Sequence, residues 1–213
     1  MTALEVVAYP DLDLRHLTVT TPSPLGELAS PAWLTALLDA SADAEVRAPA
    51  WVKATVRDLF RHHGYRPTGR GKPSSEYLVG AAAKGTLGSI NPAVDCGNAV
   101  SLHSGLPISV VDLRRTSGAL RVDVPAPGTS YVFNRGGQTI DVGGLLSLFD
   151  ELGPCANAVK DAQRTKTDED SRELLLLVWA PRCEEPGYPD RVRDWLAALL
   201  ARLGARVEAS GAG

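Results

Sequence analysis

The sequence has little of several residue types that would narrow its function at once. Its 213 residues include one methionine, 6% aromatic residues and three cysteines, at positions 96, 155 and 183. The cysteines are widely spaced and odd in number, and they form no metal-ligand or Cys-x-x-Cys spacing. We therefore expect reduced thiols and neither a metal nor another cofactor.

Long apolar runs and a large excess of charge are also missing. No apolar run approaches the roughly 20 residues that a membrane span needs, and residues 1–10 lack the pattern of a secretory signal. The formal net charge is −3, so no overall field attracts nucleic acid or anionic membrane. We expect a cytoplasmic protein with no membrane association, whose RNA contacts come from a local basic patch and weaken with salt.

The length and the apolar content, 44% of residues, suffice for one domain with a sizeable core. β-branched and apolar runs predict strands at residues 4–9, 14–20, 108–113, 120–124, 131–133 and 173–180. Apolar periodicity, prolines and glycines predict helices near residues 31–38, 49–63, 74–84, 92–103 and 192–203. Residues 136–144 read as turns and residues 209–213 as a frayed end. This mixed order favours an α+β fold with helices packed on irregular mixed sheets.

The segment from Lys72 to Thr167 carries the most specific pattern. Its motifs are Ser-Ser-Glu at 74–76, Asn-Pro-Ala-Val-Asp-Cys-Gly-Asn at 91–98, Ser-Leu at 101–102, Gly-Leu-Pro at 105–107, an aspartate at 112 and Asp-Ala-Gln-Arg-Thr-Lys at 161–166. In this order and spacing they resemble the B3/B4 domain, the editing module of the phenylalanyl-tRNA synthetase β subunit, especially its free-standing bacterial versions. The resemblance implies one domain over residues 1–213, with a motif core at about 66–180 on which the N-terminal segment and the C-terminal helix pack.

The resemblance also implies a function. The family's pocket accepts an amino acid attached to the 3′ end of tRNA, so the chain is expected to hydrolyse mischarged or non-protein aminoacyl-tRNA in trans. The alternative is a non-catalytic module that binds tRNA, an amino acid or another metabolite in the same pocket. The amino acid, the tRNA and the oligomeric state stay open at this point.

Matching the motifs residue by residue gives candidate site residues. Gly97 stands where the synthetase has threonine and Ser109 where it has histidine, so the obvious general base is missing. The resemblance implies catalytic roles for Asp95, Asn98, Ser109 and Asp112. It implies substrate binding by Asn91, Cys96, Gly97, Pro107 and Asp161.

An aminoacyl ester is already activated, so a positioned water and a few hydrogen-bond donors can suffice for its hydrolysis. Asp95 or Asp112 could orient that water if burial raises its pKa. We expect the helix that carries Asp95 and Asn98 and the strand that carries Ser109 to border one hollow.

Each candidate also has a purely structural interpretation. Asp95 and Asn98 lie three residues apart and can bond the backbone at a helix start, while Asp112 can cap a turn. Ser109 fits a satisfied polar group in the core, and Cys96 a buried, unreactive thiol. The candidate RNA-binding residues, which can also form an ordinary solvated face, are Arg66, Arg70, Lys72, Arg164 and Lys166.

Overall fold

Two four-stranded sheets, a two-stranded hairpin and five α-helices form the part of the chain that the structure, a computed structural model, describes. It describes residues 4–210, with side chains for residues 4–208. The helices are α1 Ala32–Ala36, α2 Val52–Leu59, α3 Ser74–Ala82, α4 Pro92–Ser104 and α5 Tyr188–Arg202. The strands are β1 Leu4–Val6, β2 Arg15–Thr20, β3 Ile108–Asp112, β4 Leu120–Asp123, β5 Ser130–Val132, β6 Thr139–Asp141, β7 Ser147–Asp150, β8 Gly153–Asn157, β9 Glu173–Val178 and β10 Arg206–Ser210.

The larger part of the core lies around the antiparallel sheet β10-β2-β9-β3. Its central strand β9 is buried from Leu174 to Val178, as its continuous apolar sequence predicts for a strand covered on both faces. Helices α4 and α5 pack against this sheet. The second sheet has the order β1-β4-β7-β8, in which β1 and β4 are parallel, and β5 and β6 form the hairpin.

Helix α4 begins and ends where its sequence dictates. The Asn91 side chain accepts a hydrogen bond from the Val94 N–H at 3.0 Å, and Pro92 occupies the first helical position. Gly105 ends the helix in the left-handed conformation, with φ of 75°. A Cβ at this glycine would lie 2.7 Å from Cγ1 of Val52, so α2 also packs closely against this end.

The contact between α4 and β3 divides the residues of β3 between two faces. A Cβ on Gly97 would lie 3.1 Å from the Val110 side chain and 3.5 Å from that of Ile108, so these two side chains point towards α4. Side chains alternate along a strand, so Ser109 points to the opposite face. Its hydrogen bonds to Asn157, Asp161 and Trp179 all lie on that other face.

The α+β class is confirmed, and the predicted elements differ from the observed ones in particular places. Helix α3 has no side-chain cap: Pro73 occupies the N-cap position, and the Ser74 N–H donates a hydrogen bond to the Ala158 carbonyl at 2.8 Å. The turn prediction for residues 136–144 missed β6, and the strands β7 and β8 were not predicted. Residues 209 and 210 belong to β10, which pairs with β2, whereas residues 211–213 lie outside the described residues.

Among residues 4–210, no helix combines the length and the hydrophobicity that crossing a bilayer requires.

Candidate functional site

Asp95 lies fully buried in the first turn of α4, where hydrogen bonds satisfy both of its oxygens. One oxygen accepts the hydroxyl protons of Ser30, at 2.5 Å, and of Ser89, while the other accepts the Ile90 N–H at 2.8 Å. This arrangement holds two preceding segments against the helix, as the structural interpretation expects. Its catalytic assignment stays a prediction.

Asp112 is also fully buried, at the end of β3. Its oxygens accept hydrogen bonds from the Arg114 N–H at 2.9 Å and the Ser171 hydroxyl at 2.6 Å. The carboxylate therefore caps the short 3-10 helix Leu113–Arg115 and ties it to the chain before β9.

Three further candidate residues of the 91–98 motif are Asn91, Cys96 and Asn98, and each has a different environment on α4. Asn91 links the helix start to Thr167 through a 3.1 Å hydrogen bond from its side-chain amide. Cys96 is fully buried, and burial raises the pKa of its thiol, which makes it unreactive. Asn98 is partly buried and makes no side-chain hydrogen bond within the described residues.

The structure does not bring Asn98 and Ser109 into one hollow, because the two lie on opposite sides of β3. Ser109 is instead part of a polar cluster with Asp161, Asn157 and Trp179. Its hydroxyl lies 2.7 Å from Asp161 Oδ1 and 3.1 Å from the Asn157 carbonyl, and it accepts a hydrogen bond from the Trp179 indole at 2.9 Å. Pro107 is also buried, and its carbonyl oxygen accepts a hydrogen bond from the backbone N–H of Trp179 at 3.0 Å.

Asp161 is the acid of this cluster. Burial raises its pKa from 3.8 to about 6, against the opposing effects of the Ser109 hydroxyl, the Asn157 N–H and the charge of Lys166. Ser109 and Asn157 both bond Oδ1, at 2.7 and 3.1 Å, so neither of these donors engages Oδ2. As a whole residue, Asp161 is partly exposed, whereas Ser109 is buried.

The loop between β8 and Asp161 is rigidly held. The Asn157 side-chain oxygen accepts the N–H groups of Val159 and Lys160, at 2.8 and 3.0 Å. Tyr131 accepts a hydrogen bond from the Asn157 amide and donates its hydroxyl proton to the Lys160 carbonyl. The position of Asp161 is thus coupled to that of Lys160 by a continuous hydrogen-bond network.

Lys160 faces a cleft of about 570 Å³, which we call the basic cleft. Its lining residues come from the loop before α3, from α3 itself, from the β5–β6 hairpin and from the loop after β8: Arg70, Tyr77, Phe133, Gly137, Gln138, Thr139, Ile140 and Lys160. The Lys160 ammonium lies 4.1 Å from the Phe133 ring centroid and 5.7 Å from that of Tyr77. Lys72 contacts the same Tyr77 ring at 4.4 Å.

The cations around the basic cleft repel one another. The pKa of Lys160 is lowered by burial and then by the charges of Arg70 and Lys166. Within residues 4–208, no carboxylate lies within ion-pair distance of these three residues or of Lys72. The Lys166 ammonium donates a hydrogen bond to the Phe133 carbonyl at 2.6 Å. A group of cations held by aromatic rings and by a carbonyl, without a paired acid, is suited to bind an anion.

Only some of the candidate RNA-binding residues lie at the basic cleft. Arg70, Lys72 and Lys166 lie in or beside the basic cleft. Arg164 instead forms a bidentate pair with buried Asp150, at 2.6 and 2.7 Å, which gives it a structural role. Arg66 is exposed and is not among the residues that line the cleft.

The two aromatic residues of the cleft, Tyr77 and Phe133, were missed in the sequence, whereas Lys160 belongs to a basic set with Arg164 and Lys166 that the sequence does indicate. A signal for Tyr77 existed as well, since it directly follows the Ser-Ser-Glu motif. Aromatic residues next to basic ones are typical of surfaces that bind single-stranded nucleic acid. Phe133, in contrast, reaches the cleft through the hairpin, which local sequence does not indicate.

Comparison with solved structures finds a similar fold in a fragment of a synthetase subunit. A crystal structure of an N-terminal fragment of the phenylalanyl-tRNA synthetase β subunit from Pyrococcus horikoshii is similar, with a TM-score of 0.52 and 8% sequence identity. The match covers 97% of this chain and 50% of that fragment, so the chain spans half the length of this relative. At such low identity the similarity shows the fold alone.

Comparison at the sequence level identifies the family. No curated protein matches the sequence. The family model described as the B3/4 domain matches residues 66–181, which is more than half of the chain. The matched segment includes the 91–98 motif, the Ser109–Asp161 cluster and the cations of the basic cleft. The chain belongs to the B3/4 domain family.

Proposed function

We infer that this chain binds the 3′ end of an aminoacylated tRNA in the basic cleft and hydrolyses the ester that joins the amino acid to the ribose. One observation supports the proposal above others. The loop after β8 presents Lys160 to the cleft and the adjacent Asp161 to Ser109, so a phosphate-binding cation and a tuned acid are fixed side by side. This role would place the protein in the cytoplasm, where aminoacyl-tRNA is made.

The cleft offers the contacts that a single-stranded RNA end needs. Arg70 and Lys160 provide charge for backbone phosphates, while Tyr77 and Phe133 provide apolar surface for bases or ribose. The overall negative charge of the chain weakens non-specific attraction to RNA, so the affinity must come from this local group.

Asp161 has the properties of a general base for ester hydrolysis. With a pKa of about 6 it is mostly ionised at pH 7 and still basic enough to accept a proton from water. The water oxygen would attack the ester carbonyl carbon while Asp161 takes its proton. Collapse of the intermediate would release the ribose oxygen, which receives that proton. The ammonium groups of the cleft would stabilise the charge that develops on the carbonyl oxygen.

A second candidate is a module that binds the same RNA end without hydrolysing it. The observation that favours it is the burial of Ser109, which is 1% exposed and has partners for both its proton and its lone pairs. Ser109 therefore positions Asp161 but offers no accessible nucleophile.

Release of labelled amino acid from a panel of mischarged tRNAs distinguishes the two candidates. We expect the wild-type chain to deacylate at least one member faster than buffer, and Asp161→Asn to lose this activity. Asp194→Asn, an exposed acid on α5, serves as the matched control and should keep it. A flat panel at micromolar protein, with RNA still bound, would leave the binding module as the function.

A further inference from the structure

A second pocket, of about 380 Å³, lies between helices α2, α3 and α4. Its walls are mainly aliphatic and include Val52, Val56, Val79, Gly80, Leu102 and Gly105. This volume is within the range of small-molecule sites, and an apolar wall with few polar groups is typical of them.

Gly80 indicates that the open space in this pocket is maintained by the sequence. Glycine inside a helix lowers helix stability relative to alanine, and it is usually explained by close packing. A Cβ at Gly80, however, would meet no atom within 4 Å. The neighbouring Val79 is 48% exposed, which leaves its side chain uncovered at the same pocket. Packing within the chain therefore accounts for neither residue, whereas a ligand lying against both would.

The charges at the rim select the ligand's polar group. Lys53 and Lys72 line the pocket, and Lys53 is 66% exposed. The one carboxylate among the lining residues, Glu76, accepts two hydrogen bonds of 2.6 Å each from Arg57 and lies 3.7 Å from the Lys53 ammonium. Its acceptor capacity is thus largely used, and the surplus charge at the rim is positive.

We propose that this pocket binds a small carboxylic acid that has an apolar body and no amino group. The body lies against Val79 and Gly80, and the carboxylate lies near Lys53 and Lys72. An ammonium group would meet these two cations and find Glu76 already engaged, so free amino acids and amines are disfavoured. Lys72 lies between the two sites, since its ammonium also contacts the Tyr77 ring of the basic cleft, whereas Glu76 and Gly80 line only the pocket.

Titration with octanoate, followed by amide NMR shifts of the full chain, tests the proposal. We expect saturable binding with a Kd on the order of 1 mM, the range for so small a ligand, and shifts centred on residues 76–80. Octanol should bind more weakly than octanoate, and octylamine more weakly still.

Two substitutions separate pocket binding from adsorption elsewhere. Gly80→Leu fills the pocket and should weaken octanoate binding about tenfold or more. Gly88→Leu adds the same side chain at another glycine with no atom within 4 Å and should leave binding unchanged. Lys53→Met should weaken octanoate and not octanol. Circular dichroism checks that each variant is folded.

Equal octanoate affinity in Gly80→Leu and the wild type would overturn the site, as would the absence of saturable binding. Equal affinity for octylamine and octanoate would overturn the selection for carboxylates. RNA deacylation plays no part in these measurements, so they succeed or fail independently of the function proposed above.

Discussion

At the scale of single residues, Asp161 is a side chain whose environment lowers the stability of the fold. Its pKa is raised because burial disfavours the charged form, so the ionised carboxylate at neutral pH works against folding. Asp95 and Asp112, in contrast, are buried with full sets of donors and hold neighbouring segments. An acid kept in a destabilising environment beside a cleft is typical of a functional group.

Asp161→Asn is expected to make the protein more stable and less active. The folded state binds a proton between the ordinary pKa of 3.8 and about 6, so stability falls as pH rises through this interval and the penalty persists at pH 7. The amide removes this penalty, and the free energy of unfolding at pH 7 should rise by about 1–3 kcal/mol. Urea unfolding at pH 4 and pH 7 measures the difference, and a variant less stable than the wild type at pH 7 would show that the raised pKa is wrong.

Ser101 and Asn98 provide a matched pair on α4. The Ser101 hydroxyl is buried and has no partner within the described residues. Its removal in Ser101→Ala should therefore raise the free energy of unfolding by about 1 kcal/mol, measured in urea, and leave deacylation unchanged.

Asn98→Ala tests the pocket that the family resemblance implies. A larger loss of deacylation in Asn98→Ala than in Lys160→Met would place the site at α4 and not in the basic cleft.

At the scale of elements, the position of β3 depends on how α4 ends. Gly105 turns the chain directly into Leu106 and Pro107, and its contact with Val52 fixes α2 against the same point. This junction sets the face on which Ser109 lies, and so the position of the polar cluster.

Gly105→Ala should be more costly than an alanine at Gly64. Both glycines have positive φ, 75° and 80°, so both substitutions carry backbone strain of about 1–2 kcal/mol. The new Cβ at Gly105 would also collide with Val52, whereas nothing lies within 4 Å of one at Gly64. Thermal and urea unfolding of the two variants isolates the cost of this contact, and equal losses would mean that Val52 moves aside freely.

The sequence predicted elements whose signals are local. Asn91, Pro92 and Gly105 mark the ends of α4, and the apolar run at residues 173–180 marks β9. The strands β7 and β8 were missed because they are short and β8 begins with Gly153 and Pro154, which disfavour strands, whereas pairing with β4 and with each other holds them in a sheet. Motifs identified Ser109 and Asp161 but not the hydrogen bond between them, since the two residues lie far apart in the sequence and Trp179 reaches Ser109 from farther still. The face of Ser109 depends on the packing of Gly97 on Val110, which the strand alone does not indicate.

At the scale of the whole molecule, the distribution of charge matters more than its sum. The chain has a net charge of −3, and yet Arg70, Lys72, Lys160 and Lys166 gather around one cleft without ion-pair partners in the described part of the chain. Several arginines elsewhere do have acidic partners, such as Arg57 with Glu76 and Arg164 with Asp150. This local concentration of unpaired cations supports the proposal that the cleft binds a polyanion.

The salt dependence of RNA affinity should therefore reveal how many cations of the cleft contact phosphates. If three of them contact phosphates of a single strand, a plot of log K against log salt concentration should have a slope of about −2. Lys160→Met should reduce the magnitude of this slope by about 0.7. Fluorescence anisotropy at several salt concentrations gives both slopes, and identical slopes would exclude Lys160 from the contact.

The most direct test of the account measures binding of a tRNA acceptor-stem RNA whose 3′ end carries an amino acid through a non-hydrolysable amide. We predict that Lys160→Met weakens this binding about tenfold. Arg61→Met, which removes a cation paired with Asp58 outside the cleft, should leave it unchanged. Equal affinities for the wild type and Lys160→Met, or an equal loss in both variants, would contradict the claim that the basic cleft holds the aminoacylated end.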